Sequence, residues 1–165
     1  MSTNRPVLYL DTCAIIEAHR VGCWRQMVTR YELHTVAECR DELRSGNARD
    51  SEYIVVDVDQ VERDMVIHGL SVEQRIAAGV KSASFGVLDA GERDLLAWCA
   101  AQAPTAMIIT TGDRAAIVAA CELGLRENLQ PLEEITIAIG VHADLKKHYR
   151  RAWLAEICTT CALEF

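Results

Sequence analysis

Four acidic residues stand where a hydrolytic metal site needs oxygen ligands. Asp11 ends the apolar run Val7-Leu-Tyr-Leu10, and Glu38 lies in the helix-like stretch Val36-Ala-Glu-Cys-Arg-Asp-Glu-Leu43. Glu92 lies in Leu88-Asp-Ala-Gly-Glu-Arg-Asp-Leu-Leu-Ala97, and Asp113 closes Thr110-Thr-Gly-Asp113 after the apolar run Met107-Ile-Ile109. Each acid falls at the end of a strand-like run or in the first turns of a helix. If the strands are parallel, their carboxyl ends share one edge of the sheet, and ligands bind in the crevice there. Carboxylate oxygens suit the hard cations Mg²⁺ and Mn²⁺ rather than zinc or copper.

Each acid also has a purely structural role open to it. Asp11 and Asp113 both precede helix-like segments and can cap them. Asp89-Ala-Gly-Glu92 has the spacing of a capping box. Glu38 can be a solvated surface acid, and Asp41 and Glu42, three and four positions on, can extend an acidic face with it. Asp94 follows Glu92 by two positions and faces elsewhere on the helix.

The elements that must position these residues follow from periodicity and punctuation. Residues 7–10 read as a buried strand, 12–20 and 22–30 as helices, 32–34 as a short strand, and 36–44 as a helix ending at Ser45-Gly-Asn47. Residues 54–57 are β-branched and strand-like. Two helices fill 60–80, residues 83–86 form a loop, and 92–102 is a helix with Leu95, Leu96 and Cys99 on one face. A strand over 106–110, a helix over 114–123 stopped by Gly124, a last strand over 135–139 and a closing helix over 142–157 complete the chain. Strands alternating with helices predict a three-layer α/β/α sandwich with a central, mainly parallel sheet. One domain is expected over 1–165, with 141–165 as a basic helical extension packed on it.

The order and spacing of these marks resemble the PIN domain, a family of Mg²⁺- or Mn²⁺-dependent ribonucleases. The resemblance covers roughly residues 6 to 140. It rests on the early Val-Leu-Tyr-Leu-Asp-Thr, the acid on a mid-chain helix, the Gly-Glu helix running into Leu-Leu-Ala-Trp, and the late Thr-x-Asp. It implies that Asp11, Glu92 and Asp113 are the nearest metal ligands. Glu38 would hold a second ion or orient the attacking water. Thr12 and Thr111 would hydrogen-bond the substrate phosphate or that water. Two ions roughly 4 Å apart can clamp the attacking and leaving oxygens of a phosphodiester. The helix acid here is Glu92, where many members carry Asp. The closing basic segment extends past the pattern of the small VapC-like toxins of toxin–antitoxin operons. The implied partners are RNA, a cognate antitoxin protein and a second copy in a homodimer. A non-catalytic RNA- or protein-binding module on the same scaffold is the competing reading.

Composition sets the remaining bounds. The net charge of −7 argues against a broad basic surface for nucleic acid. Basic residues nonetheless cluster: Lys146, Lys147, His148, Arg150 and Arg151 form one group, with Lys147 and Arg151 the expected RNA contacts, and Arg20, Arg25 and Arg30 form a looser one. The start Met-Ser-Thr-Asn-Arg-Pro is not a signal peptide, and the apolar runs are too short to span a bilayer, so a cytoplasmic protein without a membrane partner is expected. Seven cysteines are scattered among apolar neighbours, which suits reduced thiols. Cys158-Thr-Thr-Cys161 has no second Cys pair to complete a zinc site. A haloacid-dehalogenase-type phosphotransferase would need an acid at Cys13, and a dinucleotide-binding domain would need a Gly-rich turn after the first strand.

Overall fold

The computed structural model describes residues 4–46, 54–103 and 105–164. Met1 to Thr3 of the polar start, Asn47 of the expected turn and Phe165 lie outside the described residues. Four parallel strands, β1 (Val7–Leu10), β2 (Glu32–Val36), β3 (Met65–His68) and β4 (Ile108–Thr110), form a sheet in the order β3-β2-β1-β4. In register, Leu8 faces Leu33 on one side and Ile108 on the other, and Thr35 faces Ile67.

Helices cover both faces because alternate side chains of each strand point opposite ways and both sets are apolar. Leu8, Leu10 and Leu33 pack with Ala14, Ile15 and Ala18 of α1 (Thr12–Arg20), Met27 of α2 (Trp24–Arg30) and Leu132 and Ile135 of α8 (Leu132–Ala138). Tyr9, Val36 and Ile109 face the other way. They pack with Cys39 of α3 (Ala37–Arg44), Ala78 of α5 (Val72–Lys81), Leu95, Leu96 and Cys99 of α6 (Ala90–Gln102), and Ala116 of α7 (Arg114–Glu122). Complete burial of a leucine such as Leu8 or Leu10 contributes about 1.5–3 kcal/mol. The result is the expected three-layer α/β/α sandwich with a parallel sheet. Among the described residues, no helix is long and apolar enough to cross a membrane.

Several local expectations are corrected. Residues 54–57 hold no strand; the strand is β3, which follows α4 (Val58–Asp64) inside the span expected to be two helices. Residues 83–86 run into a 3-10 turn at Phe85–Val87. The expected last strand over 135–139 is helix α8. The basic extension is not one helix from residue 142. A 3-10 turn, Lys147–Tyr149, precedes α9 (Arg151–Glu164), so Lys146, Lys147 and Arg150 lie before the helix. Lys147 is exposed, whereas Arg151 is held by Glu134 at 3.1 Å and Arg150 by Asp144 at 3.2 Å. A continuous basic helix face does not form.

Candidate metal centre

The carboxyl ends of β1 and β4 lie side by side, with Leu10 opposite Thr110. The chain therefore brings Asp11 and Thr111 into contact. Asp11 is 2 % exposed. Its Oδ1 accepts from Ala14 N–H at 2.7 Å, which caps α1, and its Oδ2 accepts from Thr111 Oγ1 at 2.5 Å. Asp113 caps α7 through Ala116 N–H at 2.9 Å, and its own N–H donates to Thr111 Oγ1 at 3.2 Å. Thr111 is thus the hydroxyl that ties the two aspartates together. Both caps form as the sequence suggests, and capping does not take these acids away from the shared edge.

Glu92 sits in the first turn of α6, where its Oε2 accepts from Asp89 N–H at 3.3 Å in the expected capping box. The fourth acid at this edge is Glu42, one turn beyond Glu38 on α3. Thr12 Oγ1 donates to Glu42 Oε2 at 2.5 Å, and Gly91 N–H donates to Glu42 Oε1 at 2.8 Å. A Cβ on Gly91 would stand 2.5 Å from Glu42 Oε2 and 2.9 Å from Oε1, so the glycine makes the room Glu42 occupies. Glu38 is directed elsewhere. It lines a cavity of about 320 Å³ with Arg75, Phe85 and Asp94, next to the Arg75–Asp94 ion pair at 2.8 Å. Asp94 faces away from the site, as its spacing from Glu92 predicts.

Electrostatics mark the same four residues. Burial first, and then the charges of Asp113 and Asp11, push the Glu92 carboxyl up to about 8. Burial pushes Asp11 up to about 6 against the hydrogen bonds from Thr111 and Ala14, with Asp113 and Glu42 adding to the rise. Cys13 is exposed, yet its thiol is pushed up to about 12 by desolvation and by Asp11, Glu92, Glu42 and Asp113. Of these causes, the four charges are the ones consistent with its exposure. Like charges held this close disfavour joint ionisation, and a cation relieves that cost.

The donors fit a hard divalent ion: all are carboxylate oxygens, two from helices α3 and α6 and two from the N-caps of α1 and α7. They are not closed on a common point. Among the described residues, no three His, Cys, Asp or Glu side chains are placed to hold an ion as they stand. Both oxygens of Glu42 and both of Asp11 are engaged by the chain's own donors.

The C-terminal segment covers one side of the site, a feature the sequence reading missed. Tyr149 and His148 pack on Gly112, where a Cβ would stand 2.5 Å from the Tyr149 ring and 2.7 Å from His148. The Gly in Thr-Thr-Gly-Asp is the one signal of that close approach. Burial, and then the charge of Asp11, push the Tyr149 hydroxyl far up.

No protein-family model matches this chain, and no curated protein matches it.

Proposed function

We propose that the chain is a PIN-like, Mg²⁺- or Mn²⁺-dependent endoribonuclease, with Asp11, Glu42, Glu92 and Asp113 as its metal-holding acids. The observation that carries the reading is the gathering of these four carboxylates near the carboxyl edge of a parallel sheet, where burial first, and neighbouring carboxylate charges after it, raise the Glu92 and Asp11 carboxyls. A bound ion there supplies Lewis acidity toward a phosphodiester and lowers the pKa of water. The chain's own residues do the positioning. Thr111 fixes Asp11 relative to Asp113, and Thr12 and Gly91 fix Glu42 relative to Glu92. Glu38, assigned to the site by the sequence resemblance, is replaced in this reading by Glu42.

RNA is the substrate named by the resemblance. Two exposed cations near the acids, Arg114 directly after Asp113 and Lys147 before the Tyr149 cover, support a phosphate contact. Arg151 supports it less, because Glu134 already engages its guanidinium. A toxin role with a cognate antitoxin, a homodimer and a cytoplasmic location belong to the same proposal. The apolar surface open to a protein partner is the outward stripe Val72, Ile76 and Val80 of α5.

The test is incubation of purified chain with single-stranded RNA, with and without Mn²⁺ or Mg²⁺. Ion-dependent cleavage that chelation stops, and that a folded Asp11→Asn variant lacks, is the expected result. Asn keeps the cap and loses the charge. RNA bound but never cut, by folded wild-type protein with either ion, would favour the non-catalytic scaffold.

A further inference from the structure

Away from the carboxylates, the densest group of nucleophilic side chains is a trio of thiols between α7 and α9. Cys121 stands near the C-terminal end of α7. Cys158 and Cys161 are three residues apart on α9, which puts them on one face of that helix. The two helices pack through Ile117, Ile157 and Cys161, with Cys121 and Cys158 against them. Cys121, Cys158 and Cys161 thus belong to one packed cluster between the two helices. A cavity of about 230 Å³ opens at the trio, lined by Cys121, Arg126, Cys161 and Ala162. All three cysteines are free, and Cys121 and Cys158 are each partly exposed. Apolar packing alone is served by Ala or Val; thiols gathered in one cluster can also be joined.

We propose that hydroperoxides oxidise this trio to a disulfide between Cys121 and the Cys158/Cys161 pair, a reversible crosslink of α7 to α9. The chemistry balances in two steps. A thiolate of α9 attacks the peroxide oxygen, the O–O bond breaks, and a sulfenic acid forms while the leaving oxygen takes the thiol's proton and departs as an alcohol, or as water from hydrogen peroxide. Cys121 then attacks that sulfur, the S–O bond breaks, and the sulfenic hydroxyl leaves as water with the Cys121 proton. Two thiols lose two electrons, and the peroxide takes them. Burial raises the Cys158 thiol, and the Arg126 charge offsets part of that rise. Cys158 is partly exposed and Cys161 is buried, so Cys158 is the α9 thiol more open to the oxidant.

The crosslink joins the two elements that frame one side of the carboxylate site. Helix α7 carries Asp113 at its N-terminus. Helix α9 begins just after the turn whose His148 and Tyr149 cover Gly112. Oxidation would thus fix that cover in place. The crosslink itself does not depend on the metal reading.

The experiment treats the reduced, folded full chain with hydrogen peroxide, alkylates the remaining thiols, and maps the peptides under non-reducing conditions. Five of the seven thiols should remain alkylable, with a dithiothreitol-sensitive peptide joining Cys121 to Cys158 or Cys161. Cys121→Ser should abolish this, Cys158→Ser and Cys161→Ser should each preserve it, and the double α9 variant should abolish it. Cys121→Ala serves if Cys121→Ser does not fold. The proposal is overturned if all seven thiols stay alkylable, if the bond maps to Cys158–Cys161, or if a folded Cys121 variant still loses the pair.

Discussion

Glu92 and Asp11 give the site a measurable pH signature. Both carboxyls titrate above their ordinary values in the folded chain, to about 8 and about 6. Between the unfolded and folded values the native state binds more protons than the unfolded state. Stability is therefore fullest below the ordinary carboxylate range and is lost as pH rises through the folded values. Burial lowers His19 and His68, which opposes the carboxyls below the ordinary histidine value of about 6.5, so ion-free protein should melt at progressively lower temperature from about pH 6.5 to pH 8, and Glu92→Gln should flatten that decline. Thermal melts in chelator across this range decide it; a melting temperature that rises toward pH 8 in wild type would contradict the assignment. At this scale the positions of Asp11, Glu92 and Asp113 at strand ends and in a first helical turn were legible in the sequence, because each follows an apolar run or opens a helix. Glu38 and Glu42 share a helix face, and spacing alone does not separate them. What separates them is Gly91, whose bare backbone N–H faces one carboxylate and not the other.

Element packing makes its own prediction at Gly112. An alanine there must push the Tyr149 ring or the loop aside, and overpacking of this kind costs about 1–3 kcal/mol. Gly69 has open space around it, so Gly69→Ala is the matched control. We expect Gly112→Ala to lower the melting temperature by roughly 2–4 °C per kcal/mol lost, while Gly69→Ala stays close to wild type. Equal effects would show that Tyr149 does not press on the loop. The misread elements have physical reasons as well. Ile-Thr-Ile-Ala-Ile over 135–139 alternates like a strand, yet the buried set Leu132, Ile135 and Thr136, with Ile137 61 % exposed, has helical spacing. Strand β3 is four residues long and follows a charged helix without a break, so no turn residue announces it. The long, strongly patterned helices α1 and α6 were legible almost to the residue.

Across the whole molecule, the C-terminal segment is anchored to the first helix by one buried acid. Glu17 is 3 % exposed and receives Arg20 through two bonds and the N–H of Lys146 at 3.0 Å. Arg20 also donates to the carbonyl of Asp144. Glu17→Ala should cost about 1.5–3 kcal/mol, the range for hydrogen bonds to a charged group. It should also speed hydrogen exchange at residues 145–150, far from the substitution in sequence. Unchanged exchange there would mean that other contacts hold the segment. That anchoring is non-local, and nothing in the sequence around residue 17 points to residue 146. The same holds for the sheet order, which sets β1 between β2 and β4 and so collects acids from residues 11 to 113 at one edge.

The shared-ion site is tested most directly by a Mn²⁺ titration of thermal stability at about pH 8, in wild type, Glu42→Gln and Glu38→Gln. A ligand bound only by the folded state at a hundredfold excess over its Kd stabilises by about 2.7 kcal/mol, roughly 5–10 °C for a chain of this length. The account predicts such a rise in wild type and in Glu38→Gln, and its loss in Glu42→Gln. A folded wild-type chain that shows no shift, or a shift lost with Glu38 and kept without Glu42, would contradict it.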